Sequence, residues 1–241
     1  MSRSVITVAV LGSAGIIAAY AASGAPPSAK KTAPTAASAS PVVLELYQSQ
    51  GCSSCPPALA VLDKVAARPD VLALNFAVTY WDQLGWKDRF AKPEFTARQW
   101  EYARSGGRGN VQTPQLIVNG QAAILGSRPQ EVDATIAAQR PAAGAPAITG
   151  TPGSVTVGAG RGKATVWAAD YNPRRLDVPI RAGENGGRTL GHRNIVTRMT
   201  ALGTWTGSPA RFALPALGAG EARAILVQSG KGGPIVAARK L

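Results

Sequence analysis

Two cysteines, Cys52 and Cys55, carry the chemistry that this sequence indicates most clearly. Two serines separate them, and a three-residue offset at the start of a helix brings both sulfurs to one face, within reach of a disulfide bond. A helix N-terminus stabilises a thiolate through its unpaired N–H groups and its dipole, and the thiolate is the nucleophile of disulfide exchange. We therefore predict that Cys52 is the attacking thiol and Cys55 the resolving thiol. Because prolines follow at positions 56 and 57, the helix could instead begin at Pro56, which would weaken this argument for Cys52.

The surrounding sequence predicts an alternation of strands and helices over residues 42–140. The predicted elements are a strand over Val42–Tyr47, a helix ending near Arg68, a strand over Val71–Val78, a helix over Pro93–Arg104, a hairpin with an Asn119-Gly120 turn, and a helix to about Arg140 opened by a capping box at Ser127 and Gln130. The cysteines lie where the first strand passes into the first helix. Thr113-Pro114 directly precedes the third strand.

This order of elements, with the cysteine pair and the proline at these two places, resembles the thioredoxin fold. The resemblance implies that the Thr113–Pro114 peptide bond is cis and that the backbone beside Pro114 pairs with a substrate opposite the dithiol. The alternative is a trans proline that opens an edge strand.

Longer motifs resemble those of the secreted bacterial family called domain of unknown function 1223. They are Leu46-Tyr47-x-Ser49-Gln50-Gly51-Cys52-Ser53-Ser54-Cys55-Pro56-Pro57, Tyr80-Trp81-Asp82-x-x-Gly85-Trp86-Lys87-Asp88, Phe95-Thr96-Ala97-Arg98-Gln99, Thr113-Pro114-Gln115 and Gly183-Glu184-Asn185-x-Gly187-Arg188-Thr189-Leu190. The resemblance implies a thioredoxin-like domain in an exported protein and gives no substrate. The sequence departs from the family pattern at Leu59, Ala77 and Thr79, where we expect Asp, His and Asp. If those polar residues assist proton transfer, the dithiol of this protein could exchange more slowly or have a different reduction potential.

Four further residues are candidates to support the dithiol: Glu45, Trp81, Asp82 and Trp86. Glu45 lies in an apolar strand seven residues before Cys52, where a buried carboxylate could accept the proton of the resolving thiol. Its alternative is a strand edge that faces solvent. Trp81 and Trp86 could roof the dithiol and shape a peptide groove, or fill a satellite core, and Asp82 could cap a turn.

The last hundred residues differ in character from those around the cysteines. Residues 141–153 have the composition of a linker, and short β-type runs over 154–241 predict a small β-sandwich. The predicted fold class is therefore an α/β thioredoxin-like domain followed by a small all-β sandwich-like domain. Basic residues dominate this second part of a chain whose net charge is +13, and six arginines lie between Arg174 and Arg198. They could bind an anionic envelope surface or form a solvated face.

The N-terminus predicts export. Arg3 precedes an apolar run over residues 5–22, which fits a signal peptide or an uncleaved N-terminal anchor over residues 1–22. Residues 23–41 have the composition of a flexible linker. We expect a periplasmic or extracellular protein, in a compartment that permits disulfides and offers no chromosomal nucleic acid as a partner.

Three functions from different classes fit this pattern. The leading hypothesis is an exported thiol–disulfide oxidoreductase that needs no cofactor and acts on a protein thiol or disulfide. The second is a non-catalytic binding module with a static disulfide, although so small a loop contributes little stability through chain entropy. The third is a copper-binding protein that uses both thiols and His192, the single histidine. We expect no resident metal ion, and we predict that His192 is a surface or turn residue rather than a ligand.

Overall fold

The computed structural model describes residues 40–139 and 144–241, together with a few positions before residue 10. The described residues from 40 onward form one compact unit. Most of the predicted signal or anchor segment over 1–22 and most of the linker over 23–41 lie outside the described residues. Among the described residues, no helix is long and apolar enough to cross a membrane.

The described elements alternate between strands and helices up to residue 138 and are strands thereafter. They are β1 (Val42–Gln48), α1 (Pro56–Val65), β2 (Val71–Ala77), α2 (Pro93–Ser105), β3 (Gln115–Val118), β4 (Ala122–Ile124), α3 (Pro129–Ala138), β5 (Ile148–Thr151), β6 (Ser154–Val157), β7 (Ala164–Asn172), β8 (Leu176–Pro179), β9 (Thr189–His192), β10 (Ile195–Trp205), β11 (Ala210–Ala213), β12 (Ala222–Gln228) and β13 (Ile235–Lys240).

One mixed sheet of eight strands runs through both halves of the described chain, in the order β13-β12-β7-β10-β2-β1-β3-β4. The two halves join where β10 pairs with β2, with Ile195 opposite Asn75. The Asn75 N–H donates to the carbonyl of Asn194, and the Asn194 amide donates to the carbonyl of Ala73 at 2.8 Å. The predicted fold class, a thioredoxin-like domain followed by a β-sandwich, is therefore wrong: the described chain is mostly β, with one large mixed sheet and only three described helices.

The remaining strands form two small sheets, one of β11, β6 and β5 and one of β8 and β9. β5 lies inside the segment predicted as a linker over 141–153 and pairs with β6, so Ile148–Thr151 is part of a sheet. The β8–β9 hairpin contacts α1, the helix that follows the cysteines. It therefore brings residues far along the chain next to the Cys52–Cys55 region.

The two faces of β1 pack against different helices. Side chains alternate along a strand, and Leu44 and Leu46 pack with Leu59 and Leu62 of α1. Tyr47 faces the other way and packs with Phe95 and other residues on the α2 side. This alternation decides which side chains of β1 can approach the cysteines.

The turn predicted at Asn119-Gly120 is confirmed, whereas the start predicted for the third helix is wrong. Asn119 and Gly120 both have positive φ, as the turn between β3 and β4 requires, and a Cβ at position 120 would lie 2.3 Å from the Gly233 carbonyl oxygen. The capping box predicted at Ser127 does not form. α3 begins at Pro129 with Arg128 as its N-cap residue and no side-chain cap, so Ser127 lies one residue too early.

Candidate functional site

Cys52 and Cys55 form a disulfide in the turn between β1 and α1. Both cysteines are 0 % exposed, whereas Ser53 and Ser54 between them are exposed. α1 begins at Pro56, so Cys55 is its N-cap residue and Cys52 lies before the helix. The sulfur of Cys52 lies 3.3 Å from the hydroxyl oxygen of Ser54, which can donate a hydrogen bond to it.

The N-terminus of α1 has fewer free N–H groups to stabilise a Cys52 thiolate than an ordinary helix N-terminus has. Pro56 and Pro57 have no N–H, and the N–H groups of Ala58 and Leu59 both donate to the carbonyl of Cys55. The unpaired donors that stabilise an anion at a helix start are therefore missing or in use. The helix begins at Pro56, which is the later of the two starts that the sequence allowed. Stabilisation of a Cys52 thiolate therefore depends on the other groups of its own turn.

A set of hydrogen bonds fixes the turn that leads into Cys52. The Gln50 N–H donates to the Asp88 carboxylate at 2.8 Å, and the Trp86 indole donates to the Gln50 side-chain oxygen at 2.9 Å. The Asn185 amide donates to the carbonyls of Gln50 at 2.9 Å and Cys52 at 2.8 Å. Residues from two distant segments therefore hold the backbone of the cysteine turn.

The structure brings Thr113 and Pro114 to the same place. The Trp81 indole donates to the Thr113 hydroxyl at 2.7 Å, and the Ser54 hydroxyl contacts the Thr113 carbonyl at 3.4 Å. The Thr113–Pro114 peptide bond is cis, as expected, and Pro114 is buried. Gln99 of α2 donates to the carbonyl of Gln112 at 2.8 Å and so supports the segment from behind.

Asp82 and Asp88 both cap turns beside the cysteine turn. Asp82 accepts from the Asp88 N–H at 3.1 Å, and Asp88 accepts from the Phe90 N–H at 2.8 Å as well as from Gln50. Desolvation by burial raises the pKa of Asp88 to about 6, against the opposing effect of these backbone donors. Asp88 is thus a carboxylate with direct contact to the turn that can change charge in weakly acidic solution.

Glu45 is buried, so the alternative of a solvent-facing edge is wrong, and it points away from α1. Its carboxylate accepts from Arg98 at 2.7 and 3.0 Å, from Tyr102 at 3.1 Å and from Tyr47 at 2.8 Å. Arg98 and Tyr102 belong to α2, on the opposite face of the sheet from α1. The structure therefore brings Glu45 to a buried ion pair, and among the described hydrogen bonds none joins it to a cysteine.

His192, predicted as a surface or turn residue, is 0 % exposed, and neither ring nitrogen has a hydrogen-bond partner. Desolvation by burial lowers the pKa of His192 to about 4, and its ring packs edge-on against Phe90 at 5.6 Å. Among the described residues, no three side chains of His, Cys, Asp or Glu are grouped so that they could hold a metal ion.

Three of the six arginines between Arg174 and Arg198 form ion pairs within the protein. Arg175 and Arg193 form ion pairs with Asp63 of α1, and Arg198 forms one with Asp170. Their charges are therefore partly compensated by carboxylates of the same chain.

Glu184 and Asn185 contact the cysteine turn, although no pattern in the sequence predicts this. The Glu184 carboxylate accepts from the Ser53 N–H at 3.1 Å, beside the Asn185 contacts already described. Both residues lie in the last of the quoted motifs, which signalled a resemblance but not a role. Their partners are about 130 residues away in sequence, and no local pattern shows that contact.

The fold and the site together define a mostly β protein with a buried disulfide between the first strand and the first helix. Residues 43–228 match the model of the family described as "Protein of unknown function (DUF1223)", and the chain belongs to this family.

Two solved structures resemble this chain. Protein AGR_C_4864 from Agrobacterium tumefaciens is 33% identical, covering 84% of this chain and 94% of that one, with a TM-score of 0.71. HBP35 of Porphyromonas gingivalis is 12% identical, covering 84% of this chain and 75% of that one, with a TM-score of 0.53, and shows a likeness of fold alone. A comparison with curated proteins finds no match.

Proposed function

We propose that the protein is a thiol–disulfide oxidoreductase that acts through Cys52 and Cys55 on a protein dithiol or disulfide. The supporting observation is the placement of the disulfide, which joins cysteines three positions apart and lies in a turn with polar groups around it. Such a loop gives little stability through chain entropy. The Ser54 hydroxyl lies 3.3 Å from the Cys52 sulfur and would donate to a thiolate if it turned from the Thr113 carbonyl, to which it donates in the oxidised protein.

The exchange proceeds in two balanced steps. In the reduced protein, the Cys52 thiolate attacks one sulfur of a substrate disulfide, so that a mixed disulfide forms and one substrate thiolate leaves and takes up a proton. Cys55 then loses its proton and attacks the Cys52 sulfur. This restores the Cys52–Cys55 bond and releases the second substrate thiol, so that two electrons and two protons pass to the substrate. The reverse sequence oxidises a substrate dithiol.

The burial of both sulfurs adds a requirement to this mechanism. An attacking thiolate approaches a disulfide in line with the sulfur that leaves, so the groups that cover Cys52 must move before exchange occurs. Ser53 and Ser54 are already exposed. We therefore expect exchange with large protein partners to depend on displacement of the contacts from Trp81 and Asn185, which border the turn.

The reduction potential of the Cys52–Cys55 pair tests the proposal. The full chain is equilibrated in a series of glutathione buffers that differ in reduction potential, and its free thiols are counted after quenching. Exchange-active pairs have potentials well above about −300 mV, whereas inert structural disulfides fall below this value. A bond that stays closed across the whole series would overturn the proposal.

Trapping of mixed disulfides is the second measurement. In the Cys55→Ser variant the mixed disulfide on Cys52 cannot resolve, so we expect covalent adducts with protein disulfides. The matched control is Cys52→Ser, which retains one thiol of the same pair. Equal trapping by both variants would contradict the assignment of Cys52 as the attacking thiol.

A non-catalytic module with a static disulfide is the second candidate, and the complete burial of both sulfurs favours it. It predicts a bond that resists the glutathione series and no adducts in either serine variant. The same two measurements therefore separate the candidates.

The proposed chemistry needs a compartment in which disulfides form, and we propose that the protein acts outside the cytoplasm. The apolar run over residues 5–22 and the presence of the disulfide support export. Fractionation of cells that produce the full chain, followed by mass determination of its N-terminus, tests both export and cleavage. Recovery of the intact chain in the cytoplasm would contradict it.

A further inference from the structure

The segment 180–188, which joins β8 to β9, lies against the cysteine turn and is itself well ordered by hydrogen bonds. The N–H of Ile180 donates to the Arg188 carbonyl, and the N–H of Gly187 donates back to the carbonyl of Ile180. The N–H of Arg188 also donates to the carbonyl of Asn185 at 3.1 Å, and the Arg188 side chain donates to the Asn185 side-chain oxygen at 3.2 Å. These bonds present Glu184 and Asn185 in fixed positions.

Asn185 and Glu184 contact consecutive backbone groups of the cysteine turn. Asn185 is buried and its amide donates to the Gln50 and Cys52 carbonyls, which anchors the segment. Glu184 is exposed, and its carboxylate accepts from the N–H of Ser53, the residue directly after Cys52. The hydrogen bonds from Ser53 lower the pKa of Glu184, so the carboxylate is charged at neutral pH.

This arrangement removes a donor from Cys52 and adds a negative charge beside it. The Ser53 N–H, one of the backbone donors nearest to a Cys52 thiolate, points at Glu184 instead. The first turn of α1 supplies no replacement, because Pro56 and Pro57 lack N–H groups. A second carboxylate, Asp88, accepts from the Gln50 N–H on the other side of the turn.

We propose that Glu184 disfavours the thiolate of Cys52 and so slows its attack on a substrate disulfide. This inference rests on the proposed function and deepens it: a residue of the β8–β9 hairpin sets the reactivity of a thiol in the turn between β1 and α1. Glu184 touches no reacting sulfur and acts through the Ser53 N–H and through its charge, so it is a positioning residue. Asn185 is the anchor that holds it there.

The size of the effect follows from the distance. The Glu184 oxygen lies 3.1 Å from the Ser53 nitrogen, and backbone geometry places the Cys52 sulfur within about 7 Å of that oxygen. Two unit charges about 7 Å apart change a thiolate population by about threefold in water, and by about fiftyfold at the lower dielectric of a protein surface. Because Glu184 is exposed, we expect the change in thiolate population to be near threefold, the lower of these two values.

The pKa of Cys52 is the direct readout. In the Cys55→Ser background, which leaves Cys52 as the one thiol, the ultraviolet absorbance of the thiolate is followed against pH. Glu184→Gln keeps an acceptor for the Ser53 N–H and removes the charge, so we expect about a threefold larger thiolate population at a given pH. Glu184→Ala also frees the N–H and should have a larger effect in the same direction.

Glu221→Gln is the matched control. Glu221 is another acidic residue that accepts a backbone N–H, that of Gly218 at 3.1 Å, in the turn before β12. Its substitution should leave the pKa of Cys52 unchanged, which controls for a change in net charge. The difference between Glu184→Gln and its parent should also shrink as the salt concentration rises to about 1 M, where the screening length falls to about 3 Å.

Three results would overturn the proposal: an unchanged or higher pKa of Cys52 in Glu184→Gln, an equal shift in Glu221→Gln, or a shift that salt does not reduce. The salt dependence of the Cys52 pKa in the parent with Glu184 intact provides a measurement that does not rely on a variant folding. None of these readouts needs exchange with a substrate. A confirmed shift combined with a failure to trap mixed disulfides would therefore refute the proposed function separately.

Discussion

Asp88 and His192 should make opposing contributions to the pH dependence of stability. The pKa of Asp88 is raised by burial from 3.8 to about 6, and that of His192 is lowered by burial from 6.5 to about 4. The folded protein therefore binds a proton on Asp88 more tightly than the unfolded chain does, and on His192 less tightly. Each shift exceeds two pKa units, which corresponds to about 3 kcal/mol.

The signs follow from linkage between protonation and folding. Where the folded state holds more protons, the free energy of unfolding falls as pH rises, so Asp88 costs stability progressively between about pH 4 and 6. Where the unfolded state holds more protons, the free energy of unfolding rises with pH, so His192 loses stability as pH falls from about 6.5 to 4. In the wild-type protein we expect the two contributions to offset each other over this window.

Two single variants separate these contributions. Asp88→Asn leaves only the contribution of His192 from this pair, so its free energy of unfolding should rise by about 3 kcal/mol from pH 4 to 6.5 relative to the wild-type curve. His192→Leu, which removes ring nitrogens that have no partner, should instead fall by about 3 kcal/mol over the same range. Asp88→Asn also loses an acceptor for the Gln50 N–H, but that cost does not depend on pH.

Urea unfolding at closely spaced pH values between 4 and 7 measures the curves, with tryptophan fluorescence as the signal. The comparison is of slopes, so other titrating groups that all three proteins share cancel. Curves for both variants that run parallel to the wild-type curve would refute the reasoning. A slope of the opposite sign in either variant would show that the assigned direction for that residue is wrong.

Two further substitutions test the contacts that position the site. Glu45→Leu leaves the Arg98 guanidinium buried without its carboxylate and should lower the free energy of unfolding by about 3–5 kcal/mol, whereas Glu45→Leu with Arg98→Met should recover most of that loss in urea unfolding. An equal loss in the single and double variants would contradict this. Thr113→Val removes the acceptor of the Trp81 indole at 2.7 Å and should cost about 1–3 kcal/mol, with altered tryptophan fluorescence. Unchanged stability and fluorescence would show that this contact is dispensable.

The first half of the chain was largely predictable because its signals are local. The apolar runs predicted strands that match β1 and β2 to within a residue or so, and the proline at position 93 marks the first residue of α2. The Asn119-Gly120 turn was predictable because few residues adopt positive φ without strain. The disulfide was predictable because the spacing of the two cysteines is also a local feature of the sequence.

The fold class was mispredicted because strand pairing across the chain has no local signature. β10 joins β2 through Ile195 and Asn75, which are 120 positions apart. The sequence near residue 195 predicts a strand but not its partner, so it predicts a separate sandwich for the second half. The resemblance to the thioredoxin fold reinforced this error.

Glu45 illustrates how one structural fact changes a predicted role. The strand and the burial of the residue could be derived from its apolar neighbours. The direction of its side chain depends on which helix covers each face of the sheet, and α2 with Arg98 covers the face that Glu45 occupies. The Glu45 carboxylate therefore forms an ion pair with Arg98 and not a contact with a thiol.

The sequence by itself determined the chemistry of this protein: one pair of cysteines, spaced to close a small disulfide at the boundary between a strand and a helix. Spacing and turn preference act over a few residues, so they can be derived from the order of side chains. Only the tertiary structure decided the environment of that pair. The Glu184–Asn185 segment, Asp88 and Thr113 reach the cysteine turn through contacts between distant segments, because burial of the sheet and not chain proximity brings them there.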